Sequence, residues 1–156
     1  MAYIREFEFV EGEQGYVVAY PFGLEGGTQG ADLYDAVDMA ADWLRLWALD
    51  ELMAGREPER GTVGNHPRRG GTVIAVAVGA DLADIPAISA ADAARELGVS
   101  PARVSQLCQV GLLDSWKVGS CRMVSQESVE ARKESVSPHA PQQDPMKEGV
   151  LSAMEA

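Results

Sequence analysis

The sequence predicts an α+β protein: a small antiparallel sheet of three to four strands packed on one long helix, followed by a winged helix-turn-helix domain. Three observations carry that expectation. Tyr3–Val10 and Tyr16–Tyr20 read as strands. Asp32 to about Ala54 carries a helical apolar stripe. From Ile88 to Val124 the chain reads as helix, tight turn, helix and short hairpin.

The first strand alternates, with Tyr3, Arg5, Phe7 and Phe9 on one side and Ile4, Glu6 and Glu8 on the other. Phe7 and Phe9 are expected in the core. Glu11–Gly15 supplies a turn, and Tyr16–Tyr20 is the second strand, ended by Pro21. The two strands read as a hairpin. A short third strand falls at Thr28-Gln29, inside a glycine-rich segment. That segment is no phosphate loop, because the Gly-Lys-Ser/Thr ending is missing.

The long helix places Leu33, Val37, Ala40, Ala41, Leu44, Trp47 and Ala48 on one stripe, with Trp43 and Leu52 beside it. Asp32, Asp35 and Asp38 suit its positive first half. Gly55 closes it, and a polar loop runs from Arg56 to Gly71. Thr72–Val78 (TVIAVAV) is apolar on both faces and β-branched, as expected of a central strand or one at a subunit interface.

In the C-terminal part, Ser89 caps the first helix, with Asp92 three residues on. Ala90, Ala91, Ala93, Ala94 and Leu97 favour that helix. Gly98 stops it, and Val99 plugs the turn. Ser100 caps the second helix and Pro101 takes its first position, where a missing N–H costs nothing. Val104, Leu107 and Cys108 share an inward face. Gly111 ends this helix, and Leu112 and Leu113 are expected to return to the core. Ser115–Val118 and Cys121–Val124 form a wing around a Gly119-Ser120 turn. Ser125 caps a last helix through about Lys133, with Val129 inward.

The expected domains are residues 1–79, a linker at 80–88, a DNA-binding unit at 89–135 and a disordered tail at 136–156. Of the 156 residues, 24 are acidic and 13 are Lys or Arg, a formal net charge of −11. Residues 1–88 hold 15 acids and 6 bases, a net −9, whereas residues 89–135 hold 6 of each. The excess negative charge therefore lies outside the DNA-binding candidate. Phosphate neutralisation supplies much of the affinity for DNA, so one neutral copy is expected to bind weakly. A homodimer or higher homo-oligomer is the expected remedy.

The C-terminal residues ISAADAARELGVSPARVSQLCQVGLL, followed by WKVGSCRMVSQESVEA, resemble the excisionase and MerR-type winged helix family over about residues 88–134. By position, that resemblance implies that Ser100, Ala102, Arg103 and Gln106 face the groove of double-stranded DNA. It puts Lys117, Ser120 and Arg122 on the phosphate backbone.

The stretch YVVAYPFGLEGGTQGADLYDAVDMAADWLRLWALDELMAGREP is similar to the HicB antitoxins, whose N-terminal domain is a partial ribonuclease-H-like fold, and the likeness covers roughly residues 5–78. Tyr20-Pro21-Phe22-Gly23-Leu24 stands for the family's Phe-Pro-Asp-Leu-Pro, Thr28-Gln29-Gly30 for its short strand and Asp35-Ala36 for its Glu-Ala helix entry. Phe22 replaces the family's Asp, and Glu25-Gly26-Gly27 its Pro-Gly-Cys. The likeness implies a HicB-like antitoxin that blocks a small basic RNA-cleaving toxin, HicA-like, and represses its own operon. The alternative is a plain dimeric DNA-binding regulator, or an excisionase-like factor, without a toxin.

No catalytic residue, metal site or cofactor is expected. Two-metal nucleases need converging carboxylates, and the second and fourth strands carry none. His66 and His139 are isolated, and Cys108 and Cys121 lack CxxC spacing. The two cysteines read as reduced cytoplasmic thiols. No secretory signal and no membrane-spanning run is expected.

Overall fold

A computed structural model describes residues 1–136; the expected tail at 136–156 lies, beyond Val136, outside the described residues. The chain divides into two compact units. The first comprises Met1–Pro86 and Ser115–Met123, and the second, among the described residues, is built from Ala87–Asp114 and 124–136. Among the described residues the architecture is α+β, with a four-stranded antiparallel sheet, a second sheet of three strands and four α-helices.

In the first unit, strand β1 is Ala2–Glu11, β2 is Val17–Pro21, β3 is Thr28–Gly30 and β4 is Thr72–Gly79. Their order is β3-β2-β1-β4, so β1 is central and β4 lies at the edge. Of the two places expected for Thr72–Val78, a central strand or one at a subunit interface, the order excludes the central one. The reason is length: β1 spans ten residues, enough to pair with β2 on one side and all of β4 on the other.

Helix α1, Leu33–Met53, starts at Asp32, whose carboxylate accepts the Asp35 N–H at 2.8 Å. It buries Ala36, Ala40 and Leu44 against Phe7, Phe9, Val17, Ala19, Val76 and Val78, and Ala48 is buried one turn further on. Residues four apart form one ridge, and three of these four are alanines. The small side chains let the helix lie close to the sheet. Trp43 packs edge-on against Phe7, with ring centroids 5.9 Å apart, a favoured aromatic geometry. Leu33, expected on the buried stripe, is 41% exposed. Ala36, one turn further along, is the first residue of the helix to be fully buried.

The three-stranded sheet has the order β5-β7-β6, with β5 at Ala87–Ser89, β6 at Ser115–Val118 and β7 at Cys121–Ser125. β5 falls in the segment read from sequence as linker. Helices α2 (Ala90–Leu97), α3 (Pro101–Gln109) and α4 (Gln126–Ser135) belong to the second unit. Their core is Ala93, Ala94, Val104, Leu107, Leu113, Val124 and Val129, with Val99 and Cys108 packed against it. Leu112 departs from expectation at 52% exposed. Its N–H and that of Leu113 both reach the Leu107 carbonyl, and the chain turns so that only Leu113 points inward.

Candidate nucleic-acid interface

The second unit is assembled from local hydrogen bonds. Ser89 Oγ accepts the Asp92 N–H at 3.1 Å and Ser100 Oγ accepts the Arg103 N–H at 3.1 Å. Each satisfies one of the orphan donors at a helix start. Between the two helices Gly98 adopts φ 65°, the left-handed region. A side chain there would be strained, so glycine is the residue that lets α2 stop and α3 begin within three residues.

With Val104 and Leu107 buried, α3 turns Ala102, Arg103, Ser105, Gln106 and Gln109 to solvent. Ser100, Arg103 and Gln106 are brought together: the Arg103 guanidinium donates to Gln106 Oε1 at 3.2 Å, and its backbone is tied to Ser100. Ala102 is exposed beside them. Lys117, Ser120 and Arg122 are also exposed, on the β6–β7 hairpin. Arg122 donates to Ser115 Oγ at 2.7 Å. Gly119 takes φ 63° in the turn, as a tight hairpin requires. The hairpin residues group with the first unit and the α3 residues with the second.

Sequence reading missed a second constellation, in the first unit. Over residues 5–9 both faces of β1 are buried. On the face away from α1, Glu8 is 1% exposed and accepts three backbone N–H bonds, from Arg68 and Arg69 at 2.8 Å and Gly71 at 2.9 Å. Glu6 accepts from the Gly64 N–H at 3.1 Å and from the Asn65 backbone and side-chain amides, each at 2.8 Å. A carboxylate surrounded by N–H donors is stabilised as an ion. The Asn65 backbone bond leads in holding Glu6 below its ordinary range, against the opposing effect of burial. For Glu8, burial acts upward, but the three amides and the Arg69 charge together carry its carboxyl below that range. The polar loop is thus fastened over the sheet. Gly71 is required there, because a methyl group would collide with the Phe9 carbonyl.

On the helix side, Arg5 is 3% exposed. It donates to the Phe22 carbonyl at 2.6 Å and the Glu59 carbonyl at 2.8 Å, and lies 4.9 Å from the Trp47 ring centroid. Burial draws its pKa downward, and nearby Glu59 opposes this. At the surface, Arg68 lies over Phe22 at 5.6 Å and Arg69 over Tyr20 at 3.8 Å. These four residues line a cleft of about 400 Å³.

Among the described residues, no three His, Cys, Asp or Glu side chains are grouped to hold a metal ion. No described helix is long and apolar enough to cross a membrane. Comparison with known proteins gave no match to any family, curated protein or solved structure.

Proposed function

We propose that this chain is a DNA-binding transcriptional regulator of the antitoxin type. In this reading the second unit and the β6–β7 hairpin act as a winged helix-turn-helix, and α3 is the recognition helix. The observation that carries it is the outward face of α3. Its Ser100 cap and Pro101 start fix a helix whose exposed N-terminal residues are Ala102, Arg103 and Gln106. Small and bidentate side chains at that end suit base edges in the major groove. Lys117 and Arg122 supply the phosphate contacts. The near-neutral charge of residues 89–135 calls for two copies per site, since affinity rises with the number of phosphates neutralised.

The four-stranded first unit, with its single long helix, accords with a HicB-like partner-binding domain. Its acidity would favour a small basic toxin electrostatically.

Two measurements test the reading. A mobility shift at fixed salt, with the DNA upstream of the protein's own gene, should show a specific complex. Arg103→Ala should weaken it about ten- to one-hundredfold, whereas Arg60→Ala, in the loop of the first unit, should leave it within about twofold of wild type, as expected of a residue outside the contact surface. Equal losses in the two variants would remove α3 from the groove. Separately, the full chain should recover from its host a small basic protein that cleaves RNA once freed. Recovery of the chain alone would leave a plain DNA-binding regulator.

A further inference from the structure

Two arginines of the first unit are held in place and still lack an acceptor. Arg69 Cζ lies 3.8 Å from the Tyr20 ring centroid, and Arg68 Cζ lies 5.6 Å from that of Phe22. Their backbone N–H groups are taken by Glu8. Their guanidiniums donate no hydrogen bond and meet no carboxylate at ion-pair distance among the described residues. Acids outnumber Lys and Arg by 24 to 13, and other cations do find one: Arg56 meets Glu51 at 2.9 Å and Lys133 meets Glu96 at 3.0 Å. A ring covers one face of a guanidinium and leaves its in-plane N–H fork free. That fork matches the oxygens of a phosphate or a carboxylate.

The walls around this pair are fixed. On the β2 side Phe22 is buried, donates its N–H to the Glu6 carbonyl at 3.0 Å and accepts from Arg5 at 2.6 Å. The chain then turns through Gly23 at φ 79° and Gly26 at φ 95°, and a methyl group at Gly23 would stand 3.2 Å from the Arg5 guanidinium. On the other side the Glu8 clamp sets the loop before β4. The cleft of about 400 Å³ between them is within the size range of small-molecule sites. It stands ready-made, so a ligand pays little to order it.

The lining also decides the ligand class. One carboxylate has two oxygens, and a single bidentate arginine fills both. Two forks on adjacent residues suit a phosphate, which offers three free oxygens. Two carboxylates share the cleft. Glu8 spends both oxygens on the amides of Arg68, Arg69 and Gly71. Glu25 is exposed and opposes an anion, which sets a moderate affinity. The glycine-rich segment here lacks the lysine of a phosphate loop; the cations come instead from the loop before β4.

We propose that this cleft binds the phosphate group of a small ligand, a nucleotide or pyrophosphate, through the guanidiniums of Arg68 and Arg69. All of its lining belongs to the first unit, so the inference is independent of the DNA-binding reading.

The test is an NMR titration of the full chain with pyrophosphate, adenosine 5′-monophosphate, adenosine and glutarate. The two phosphates should shift the amides of 23–26 and 68–71 saturably, with a dissociation constant on the order of 0.1–1 mM. Adenosine and glutarate should leave those amides in place. Arg68→Lys with Arg69→Lys keeps the charge and the clamped backbone but loses both forks, and should weaken binding about tenfold. On the opposite wall, Glu25→Gln should tighten it about twofold by removing a repulsion. Tighter binding of the monophosphate than of pyrophosphate supports a nucleotide site, and equal binding supports recognition of the phosphate alone. Glutarate binding as well as the phosphates overturns the ligand class and gives the cleft to carboxylates of a partner protein. Undiminished affinity in the double lysine variant overturns the two-fork assignment. Shifts absent from 23–26 and 68–71, or confined to 102–106 and 117–122, overturn the site and leave the DNA-binding reading standing.

Discussion

The two units hold themselves together on different length scales. In the first, Glu6 bonds to Gly64, 58 positions away, and Glu8 to Gly71, 63 positions away. In the second, Ser89 bonds to Asp92 and Ser100 to Arg103, each three positions on. Closing a long loop costs entropy before any contact forms. The first unit therefore needs strong enforcement at the closing point, and the buried carboxylates supply it with charge-assisted bonds. The second unit closes short loops and relies on caps, a left-handed glycine and a small core.

The comparison is tested most severely in the first core. Leu44 is 1% exposed and packs among Phe7, Val76 and Ala40. Leu44→Ala should cost about 3–5 kcal/mol, the range for a leucine truncated in a core that cannot collapse. The fluorescence of Trp43 and Trp47, both packed at that core, should report the loss in a urea titration. The amides of α2 and α3 should keep their exchange protection. Equal loss of protection in α3 would break the idea of two separately held units.

The next effect is acid lability confined to the first unit. Glu6 and Glu8 have folded pKa values below the ordinary 4.5. A carboxyl with a depressed folded pKa contributes stability that is present above its unfolded pKa and lost as pH falls through the folded value. The first unit should therefore keep its stability down to about pH 4.5 and weaken below it, with amides of residues 64–71 exchanging first. Glu8→Gln removes two-oxygen acceptance from three donors. It should lower the melting temperature at pH 7 and flatten the acid limb. An unchanged acid limb in Glu8→Gln would mean that Glu6 alone, or neither, fastens the loop.

These length scales also decide what could be read from the sequence. The elements of the second unit were legible almost residue by residue, because Ser89, Gly98, Ser100 and Pro101 act on neighbours three or four positions away. The stripe of α1 was legible too, except at Leu33, where a periodic pattern cannot say where the sheet ends. The alternation of β1 placed Arg5, Phe7 and Phe9 together correctly. It put Glu6 and Glu8 on the other side and gave no sign of their burial, since alternation is silent about a loop that returns some sixty residues later. The signal that could have found them was the run Gly64, Asn65, Gly70, Gly71, a loop rich in unhindered amides facing a strand with two acids. Strand order was equally hidden: an apolar strand suits a sheet centre and a subunit interface alike, and β4 stands at the edge.

A smaller effect sharpens the local side of the comparison. Gly98 at φ 65° should tolerate no side chain without strain, and Gly98→Ala should cost about 1–2 kcal/mol, the penalty of the left-handed region for L-residues. Its effect should appear in the exchange of α2 and α3 amides and leave residues 64–71 untouched. A loss shared with the 64–71 loop would show that the turn matters beyond its own unit.

The smallest effect separates stability from recognition at Ser100. The hydroxyl caps α3 through the Arg103 N–H, and the same residue belongs to the proposed groove-facing set. Ser100→Ala should lower stability by about 1 kcal/mol, whereas Ser100→Gly should cost only a few tenths, because glycine is accepted at caps. Both changes delete the hydroxyl. If the oxygen touches DNA, the two variants should lose affinity alike despite their different stabilities. If it only shapes the helix, affinity should track stability, and Ser100→Gly should bind nearly as wild type. Mobility shifts on the two variants, set beside their urea midpoints, distinguish a cap that happens to be exposed from a cap that also reads the groove.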